Sequence, residues 1–181
     1  MVKPQLLFST PIWHVRGDVP SGALEWALEY EKEHPHEYGA KSNRGGYQSL
    51  SSDNIKDFPY IGEMGNRLKN CMPKCRITNW WLNVNRKGDY NVKHNHPTSN
   101  FAIIWYFTDN NNSLKLEDPL SMSRQVFHDT FNTRALWDYE VVYSWDCTAG
   151  EILVFPSDVP HWVDDHELDT PRVSVSFNAI V

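Results

Sequence analysis

The chain has 181 residues, which is enough to bury a substantial core within one domain. Its formal net charge of -6 argues against a nucleic-acid partner, because non-specific binding to phosphates needs clustered lysine and arginine. No run of about 20 apolar residues occurs, so no membrane span is predicted. Three cysteines without a paired CxxC motif argue against a disulfide framework or a structural zinc site. Because reduced cysteines are typical of the cytoplasm, we expect a cytoplasmic protein.

The first part of the chain is expected to form a largely helical support. Residues 5–15 are rich in strand-forming side chains and predict an opening strand, in which Pro11 favours a position at a sheet edge. Ser21 can cap a helix that runs to about Glu33.

The segment 39–57 is polar and rich in glycine, which predicts a loop with one short strand around Tyr47. Asp57 is the expected cap of a second helix, which Pro73 ends. The apolar side chains of this helix recur at helical spacing and predict a buried stripe of Ile61, Met64, Leu68 and Cys71.

From Arg76 onward the pattern changes to short strands separated by turn residues. The predicted strands cover 76–86, 92–96, 101–108, 113–117, 139–146, 151–155, 159–163 and 171–180. Two helices followed by about eight strands predict a mainly β fold, a double-stranded β-helix or cupin-like jelly roll with both helices packed on one outer face. We expect a single domain over 1–181, with a helical support over 1–75 and a jelly-roll core over 76–181.

Residues 119–138 are the exception, because this long stretch contains aromatic and basic residues but has no clear period. Loops of this length often act as lids or binding loops. A partly ordered hairpin extension accounts for the same stretch equally well, and the sequence leaves both interpretations open.

Three histidines form the first candidate site. His94 and His96 are two residues apart in a predicted strand, so their side chains point to the same face. His161 lies in a later predicted strand. Neutral imidazoles bind iron, zinc, copper and nickel, and three protein ligands leave positions open for substrate or oxygen. The spacing indicates a mononuclear metal site, although a pair of surface histidines is the common alternative.

A second candidate site begins at Arg172. Polar and apolar side chains alternate over 172–178, which places Arg172, Ser174, Ser176 and Asn178 on one face of a strand. If this face points into the jelly roll, the buried guanidinium needs an anion such as a carboxylate or a phosphate. The alternative is a solvated polar face, with the intervening valines and phenylalanine in the core.

Several short motifs follow one another along most of the chain. They are LFSTPIW at 7–13, WLN at 81–83, GDYN at 88–91, HNHP at 94–97, LEDP at 116–119, GEILVFPS at 150–157 before His161, and RVSVSFN at 172–178. In order and spacing they resemble the iron(II)/2-oxoglutarate-dependent oxygenases, and they are similar to the branch found in marine phages and bacteria. Each motif alone is weak, and their combination is specific.

This resemblance implies a double-stranded β-helix that uses Fe(II), 2-oxoglutarate and dioxygen. It implies that His94 and His161 are iron ligands, and that Arg172 and Ser174 hold the distal carboxylate of 2-oxoglutarate. A bidentate guanidinium beside a hydroxyl two residues further along the strand suits a carboxylate. The implied reaction is hydroxylation of a substrate, coupled to decarboxylation of 2-oxoglutarate to succinate.

Position 96 departs from the family pattern, which has Asp or Glu two residues after the first histidine. In one interpretation His96 is a third imidazole ligand, and its spacing from His94 favours this. In the other, a carboxylate from elsewhere completes the site, with Asp118 as the best candidate.

Tyr90 and Asn83 are further candidates for the cofactor pocket. Tyr90 can hydrogen-bond a cofactor carboxylate, although ordinary aromatic packing explains this residue equally well. The aromatic-rich interior and the 119–138 loop favour a substrate larger than a free metabolite, such as a peptidyl side chain. Small-molecule substrates and a homodimer stay open.

Two other functions fit the same residues. A three-histidine cupin-type dioxygenase would bind its organic substrate directly on the metal and would not use 2-oxoglutarate. A non-catalytic jelly roll would bind a peptide or a sugar, with a structural zinc ion at the histidines.

Overall fold

Short strands dominate the computed structural model, which describes residues 9–35, 42–69, 71–111, 113–121, 123 and 140–181. The helices are α1 (Ala23–Glu33) and α2 (Ile61–Leu68), with a 3-10 turn at Ile55–Asp57 before α2. The strands are β1 (Trp13–Val15), β2 (Asn43–Arg44), β3 (Tyr47–Gln48), β4 (Arg76–Asn85), β5 (Tyr90–His94), β6 (Phe101–Tyr106), β7 (Leu114–Glu117), β8 (Val142–Trp145), β9 (Ile152–Pro156), β10 (His161–Val163) and β11 (Arg172–Ile180).

These strands form two antiparallel sheets that pack face to face. The larger sheet has the order β1-β9-β6-β11-β4-β3, and the smaller sheet has the order β2-β5-β10-β7-β8. From β4 to β11 the chain passes repeatedly from one sheet to the other, which is the winding of a jelly roll. The predicted mainly β jelly roll is therefore confirmed.

Both faces of β11 are buried, and they serve different purposes. Val173, Val175 and Phe177 are fully buried on the outer face of the larger sheet, where the helices pack. Arg172 and Ser174 point the other way and line a cavity between the sheets. Because neighbouring residues of a strand face opposite sides, one alternating stretch supplies both surfaces. The alternative of a solvated polar face is wrong, since Ser174 is only 9% exposed.

The helices cover the outer face of the larger sheet. Ala23 and Ala27 of α1 are fully buried, and their small side chains let the helix backbone approach the sheet closely. Trp26 lies beside them, with its ring centroid 6.0 Å from that of Trp80 in β4. This aromatic layer completes the core beneath the helices.

Neither helix begins at its predicted cap. The N-cap of α1 is Gly22, whose φ of +77° lies in the left-handed region that favours glycine, so Ser21 does not cap it. The N-cap of α2 is Tyr60. Asp57 lies in the preceding 3-10 turn, where its carboxylate accepts a hydrogen bond from the Asn54 side chain at 2.6 Å.

The buried side of α2 is shorter than predicted. Met64 and Leu68 are buried, but the helix ends at Leu68. Cys71 consequently lies beyond the helix and is exposed, so it does not extend the buried stripe.

Between the two sheets, a second apolar cluster draws side chains from both. It consists of Ala102, Ile104, Tyr106, Leu114, Leu116, Cys147, Leu153, Phe155 and Val159. Ala102, Ile104 and Tyr106 of β6 also line the polar cavity, so the inner core and the cavity share a wall.

The predicted strands after Arg76 agree with the observed strands apart from differences at their ends, of which one matters for the site: the predicted strand 92–96 is observed as Tyr90–His94, so His96 lies beyond it. The opening strand is shorter than predicted: β1 lies at an edge of the larger sheet but covers only Trp13–Val15, residues 9–12 are not in a strand, and residues 5–8 lie outside the described residues. Most of the 119–138 loop also lies outside them.

Within the described residues, no helix has both the length and the apolar character needed to cross a membrane.

The substitution Phe58→Ala tests the helical layer. Phe58 is fully buried, and its ring contacts Trp26, Trp80 and Phe177. Removal of the phenyl ring should lower the free energy of unfolding by about 3–5 kcal/mol, measured by urea denaturation. The control Leu50→Ala, at a side chain that is 59% exposed, should change it by less than about 0.5 kcal/mol. Equal losses from both substitutions would contradict packing of the helices on the sheet.

Candidate metal centre

Three imidazole rings meet between the two sheets. His94 ends β5 and His161 begins β10, and the two residues are paired across the antiparallel ladder. His96 follows His94 by two residues, and its ring centroid lies 5.2 Å from that of His94 and 5.1 Å from that of His161. One ligand atom of each ring lies within 4.8 Å of the other two. The structure thus brings the three predicted histidines together.

Each ring is held by a hydrogen bond at Nδ1. In His94 and His161, Nδ1 donates to the backbone carbonyl two residues earlier, at 2.8 Å and 3.0 Å. In His96, Nδ1 donates to the side-chain carbonyl of Asn178 at 2.6 Å. Because these partner oxygens can only accept, each Nδ1 carries the ring proton. The three Nε2 atoms keep their lone pairs and are the atoms available to a metal ion.

The electrostatic environment keeps all three rings neutral. Burial lowers the pKa of His94 and of His96 from the ordinary value. Burial, with the two neighbouring histidines, lowers the pKa of His161 to about 3. Neutral imidazole is the form that binds metal ions, so a divalent transition metal fits this donor set.

A polar cavity extends from the histidines into the space between the sheets. Besides the three rings, its polar lining includes Arg172, Ser174, Ser176, Asn83, Asn85 and Tyr106. Asn83 and Ser176 belong to neighbouring strands, and the Asn83 amide donates to the Ser176 hydroxyl at 3.0 Å. The metal-binding candidates and the predicted anion-binding residues therefore share one cavity.

Arg172 indicates what the cavity can hold. The side chain is only 3% exposed, and Nη2 is buried without a hydrogen-bond partner in the part of the chain that the structure describes. Nη1 donates to the Asp164 carbonyl over a long 3.5 Å. Burial lowers the pKa of this guanidinium, which reflects the cost of a desolvated cation. A carboxylate in the cavity would accept from the unfilled donor, so an oxo-acid fits this position.

Asp118 is not brought to the histidines. It lines a separate groove with Ser9 and Glu117, and its Oδ1 accepts a hydrogen bond from the Leu120 backbone at 2.9 Å. Among the described residues, the histidine cluster contains three imidazoles and no carboxylate. The geometry supports His96 over Asp118 as the third ligand.

Tyr90 is also placed away from the cavity. Its side chain is 38% exposed and lines an outer groove with Trp162. The cause is a bulge in β5, because His161 pairs with His94 whereas Val163 pairs with Asn91. The extra residue shifts the alternation by one, so Asn91 faces the cavity and Tyr90 faces outward.

Sequence reasoning overlooked Tyr106, which lies in the cavity wall. Its register partner is Ser174, so both side chains face inward. Burial raises the pKa of this phenol far above its usual range, with Cys147 as a further cause. Residues 101–106 (FAIIWY) are all apolar or aromatic, so no alternation marked which side chains face the cavity.

Comparison with known proteins gives a family for this arrangement. A family model described as "Putative 2OG-Fe(II) oxygenase" matches residues 79–178, which is more than half of the chain and reaches from β4 to β11. Among curated proteins, none matches the chain in sequence.

Solved structures match nearly the whole chain at low sequence identity. A prolyl-4-hydroxylase from Pseudomonas putida has a TM-score of 0.60 at 11% identity, covering 95% of this chain and 93% of its own. HygX from Streptomyces hygroscopicus, with nickel and 2-oxoglutarate bound, has a TM-score of 0.59 at 12% identity. The match covers 94% of this chain and 82% of that chain. A Trichoplax adhaerens prolyl hydroxylase, in complex with a hypoxia inducible factor peptide fragment, has a TM-score of 0.59 at 13% identity. The match covers 93% of this chain and 83% of that chain. These similarities show a shared fold.

Removal of one imidazole tests the metal centre. His161→Ala should weaken Fe²⁺ binding by at least about 100-fold in anaerobic calorimetry, because even a residue that only orients a ligand contributes about 10- to 100-fold. The control His34→Ala removes an exposed imidazole at the end of α1 and should leave the affinity unchanged. Equal affinity in both variants would place the metal elsewhere.

Asn178 should affect metal binding because its side chain holds the ring of His96. Asn178→Ala removes the acceptor that holds Nδ1 and should weaken Fe²⁺ binding by about 10- to 100-fold. Asn178→Asp keeps an accepting oxygen and should retain the affinity. Asn79 pairs with Asn178 across the sheet but bonds Ser51 instead, so Asn79→Ala is the matched control. An unchanged affinity in Asn178→Ala would show that the hydrogen bond from His96 to Asn178 does not support metal binding.

Proposed function

The chain belongs to the 2OG-Fe(II) oxygenase family, and from this premise we propose that His94, His96 and His161 hold Fe(II) while Arg172 and Ser174 hold 2-oxoglutarate. The observation that carries the proposal is a buried arginine with an unfilled donor in the same cavity as three neutral imidazoles. A metal site alone would not need the arginine, and an anion site alone would not need the histidines.

The residues of this chain would bind and orient the two cofactors. The Nδ1 hydrogen bonds fix the three rings so that the Nε2 lone pairs are available to the ion. The Arg172 guanidinium and the Ser174 hydroxyl would donate hydrogen bonds to the distal carboxylate of 2-oxoglutarate. When bound, iron and 2-oxoglutarate supply the oxidising chemistry, in which dioxygen contributes one oxygen atom to succinate and one to the substrate as carbon dioxide leaves.

The charge balance favours this cofactor. Three neutral imidazoles leave the full charge of a divalent ion uncompensated, whereas a carboxylate ligand would cancel half of it. One of the two negative charges of 2-oxoglutarate would pair with the Arg172 guanidinium, and the other would offset half of the charge of the ion, so the cofactor would reduce a positive charge that is costly in a buried cavity. The third imidazole is therefore compatible with tight binding of a dianion.

We propose that the substrate is a neutral polar chain, such as a peptidyl side chain with its backbone. A groove opens beside His94 and His96, and its lining is rich in uncharged hydrogen-bonding groups, among them Gln48, Ser51, Asn79, Asn95 and Thr98. Lys93 also lines the groove, but its ammonium is paired with Glu117. Amides and hydroxyls can bind peptide groups without a charge, and the peptide in the similar Trichoplax adhaerens structure is consistent with this substrate class.

The three-imidazole set also favours a second candidate function. Among the described residues, the histidine cluster contains no carboxylate. A set of three imidazoles alone would suit a cupin-type dioxygenase that does not use 2-oxoglutarate. In that case Arg172 would bind an acid group of the organic substrate itself. Consumption of 2-oxoglutarate separates the two functions.

Binding of 2-oxoglutarate tests the main proposal. Protein loaded with Fe²⁺ without oxygen should develop a visible charge-transfer band on addition of 2-oxoglutarate. Arg172→Gln should raise the 2-oxoglutarate concentration needed by at least about 30-fold, because loss of one partner of a buried charge pair costs about 2–5 kcal/mol. The control Arg76→Gln removes the same charge from the exposed start of β4 and should leave the titration unchanged.

Product analysis completes this test. With oxygen admitted, the loaded protein should form succinate, and Arg172→Gln should form it only at high 2-oxoglutarate. A wild-type protein that binds iron but forms neither the band nor succinate would contradict the proposal and favour the cupin-type function.

A further inference from the structure

A second cluster of metal-binding side chains lies outside the cavity described above. It consists of His14 in β1, Cys147 after β8, and Glu151 just before β9. One ligand atom from each of these residues lies within 4.8 Å of the other two. None of the three lines the cavity that holds the candidate iron centre.

The His14 imidazole places its Nε2 atom in this cluster, beside the Glu151 carboxylate. Nε2 lies 2.9 Å from Glu151 Oε2, but it is buried and makes no hydrogen bond of good geometry in the part of the chain that the structure describes. The other Glu151 oxygen faces Arg16, whose Nε is 3.7 Å from Oε1. An imidazole nitrogen, a carboxylate oxygen and a thiol that converge at these distances are the arrangement expected of a ligand set.

The three side chains are held by rigid backbone. His14 pairs with Leu153 in the ladder between β1 and β9, which puts His14 and Glu151 on the same face of the sheet. Glu151 Oε2 also accepts from the Thr148 backbone at 2.8 Å. The Cys147 backbone makes two 3.0 Å hydrogen bonds with Asn110, one through N–H and one through the carbonyl. Little reorganisation would be needed to bind an ion, which favours binding.

The turn between Cys147 and Glu151 is also held in place by the segment that follows β1. Gly150 has a φ of +93°, and a Cβ at this position would lie 2.3 Å from the Gly17 carbonyl oxygen. The segment that follows β1 therefore packs directly on this turn. The cluster lies where the N-terminal strand joins the body of the fold.

The Cys147 thiol does not behave as a free nucleophile. It is fully buried, and burial together with the Glu151 and Asp146 carboxylates raises its pKa to about 12. A role in covalent catalysis would require a lowered pKa. Coordination of a cation accounts better for a buried thiol that faces an imidazole and a carboxylate.

We propose that His14, Cys147 and Glu151 form a binding site for a divalent metal ion, of which Zn²⁺ is the best match. Nitrogen, sulfur and oxygen donors together suit an ion of intermediate softness, and zinc accepts all three. The bound ion would tie β1 to the connection between β8 and β9 and would stabilise the fold.

Cobalt titration tests this proposal without dependence on the oxygenase reaction. Co²⁺ is added to the full-length His161→Ala variant, in which the histidine centre is disabled. A cobalt–thiolate bond gives a near-ultraviolet charge-transfer band that imidazole ligands cannot produce. We expect one equivalent of Co²⁺ to develop this band and Zn²⁺ to abolish it by displacement.

Variants identify the thiol and the other two ligands. Cys147→Ser should abolish the band, whereas the control Cys71→Ser/Cys75→Ser should retain it, since both of those cysteines lie outside the cluster. His14→Gln and Glu151→Gln should each weaken Co²⁺ binding by at least about tenfold. These two provide the ligand test if Cys147→Ser fails to fold. Zn²⁺ should also raise the melting temperature of His161→Ala.

Absence of the band in folded His161→Ala protein would overturn the proposal and leave His14 and Glu151 as a simple ion pair. So would a band that persists in Cys147→Ser. Either result would leave the iron centre untouched, because the two sites share no residue.

Discussion

The two-sided burial of β11 is the constraint on which the rest of the structure depends. This strand lies inside the larger sheet, paired with β4 on one side and with β6 on the other. Its apolar face needs the helical layer to exclude water, and its polar face needs a ligand to satisfy Arg172. Packing and function are thus fixed by the same alternating residues. The helices contribute no side chain to the cavity lining, but they cover the opposite face of the strand that carries Arg172.

The same strand also reaches the candidate metal centre. Arg172 begins β11 and Asn178 lies near its end, an even number of residues further along and so on the same face of the strand. Arg172 would hold the anion, while Asn178 holds the ring of His96 through Nδ1. The residue that departs from the family pattern is therefore supported by a specific partner. A neutral amide orients the ring without adding a charge, which keeps the full positive charge of the metal ion available to an anionic cofactor.

The sequence was informative where local alternation decides the outcome. The i, i+2 spacing of His94 and His96 and the alternation after Arg172 are local properties, and the structure brings these residues into one cavity. Tyr90 could not be placed, because a bulge in β5 reverses the alternation and its position depends on pairing with β10. Tyr106 lies in a uniformly apolar strand, where no pattern distinguishes the faces.

The choice between His96 and Asp118 depended on which distant strands become neighbours, and local pattern carries no such information. A crystal structure of the anaerobic protein with Fe²⁺ and 2-oxoglutarate tests the central claim most directly. We expect an ion bound by the Nε2 atoms of His94, His96 and His161, with the distal carboxylate of 2-oxoglutarate on Arg172 and Ser174. An ion bound by Asp118 in place of His96, or a 2-oxoglutarate molecule that does not contact Arg172, would contradict it.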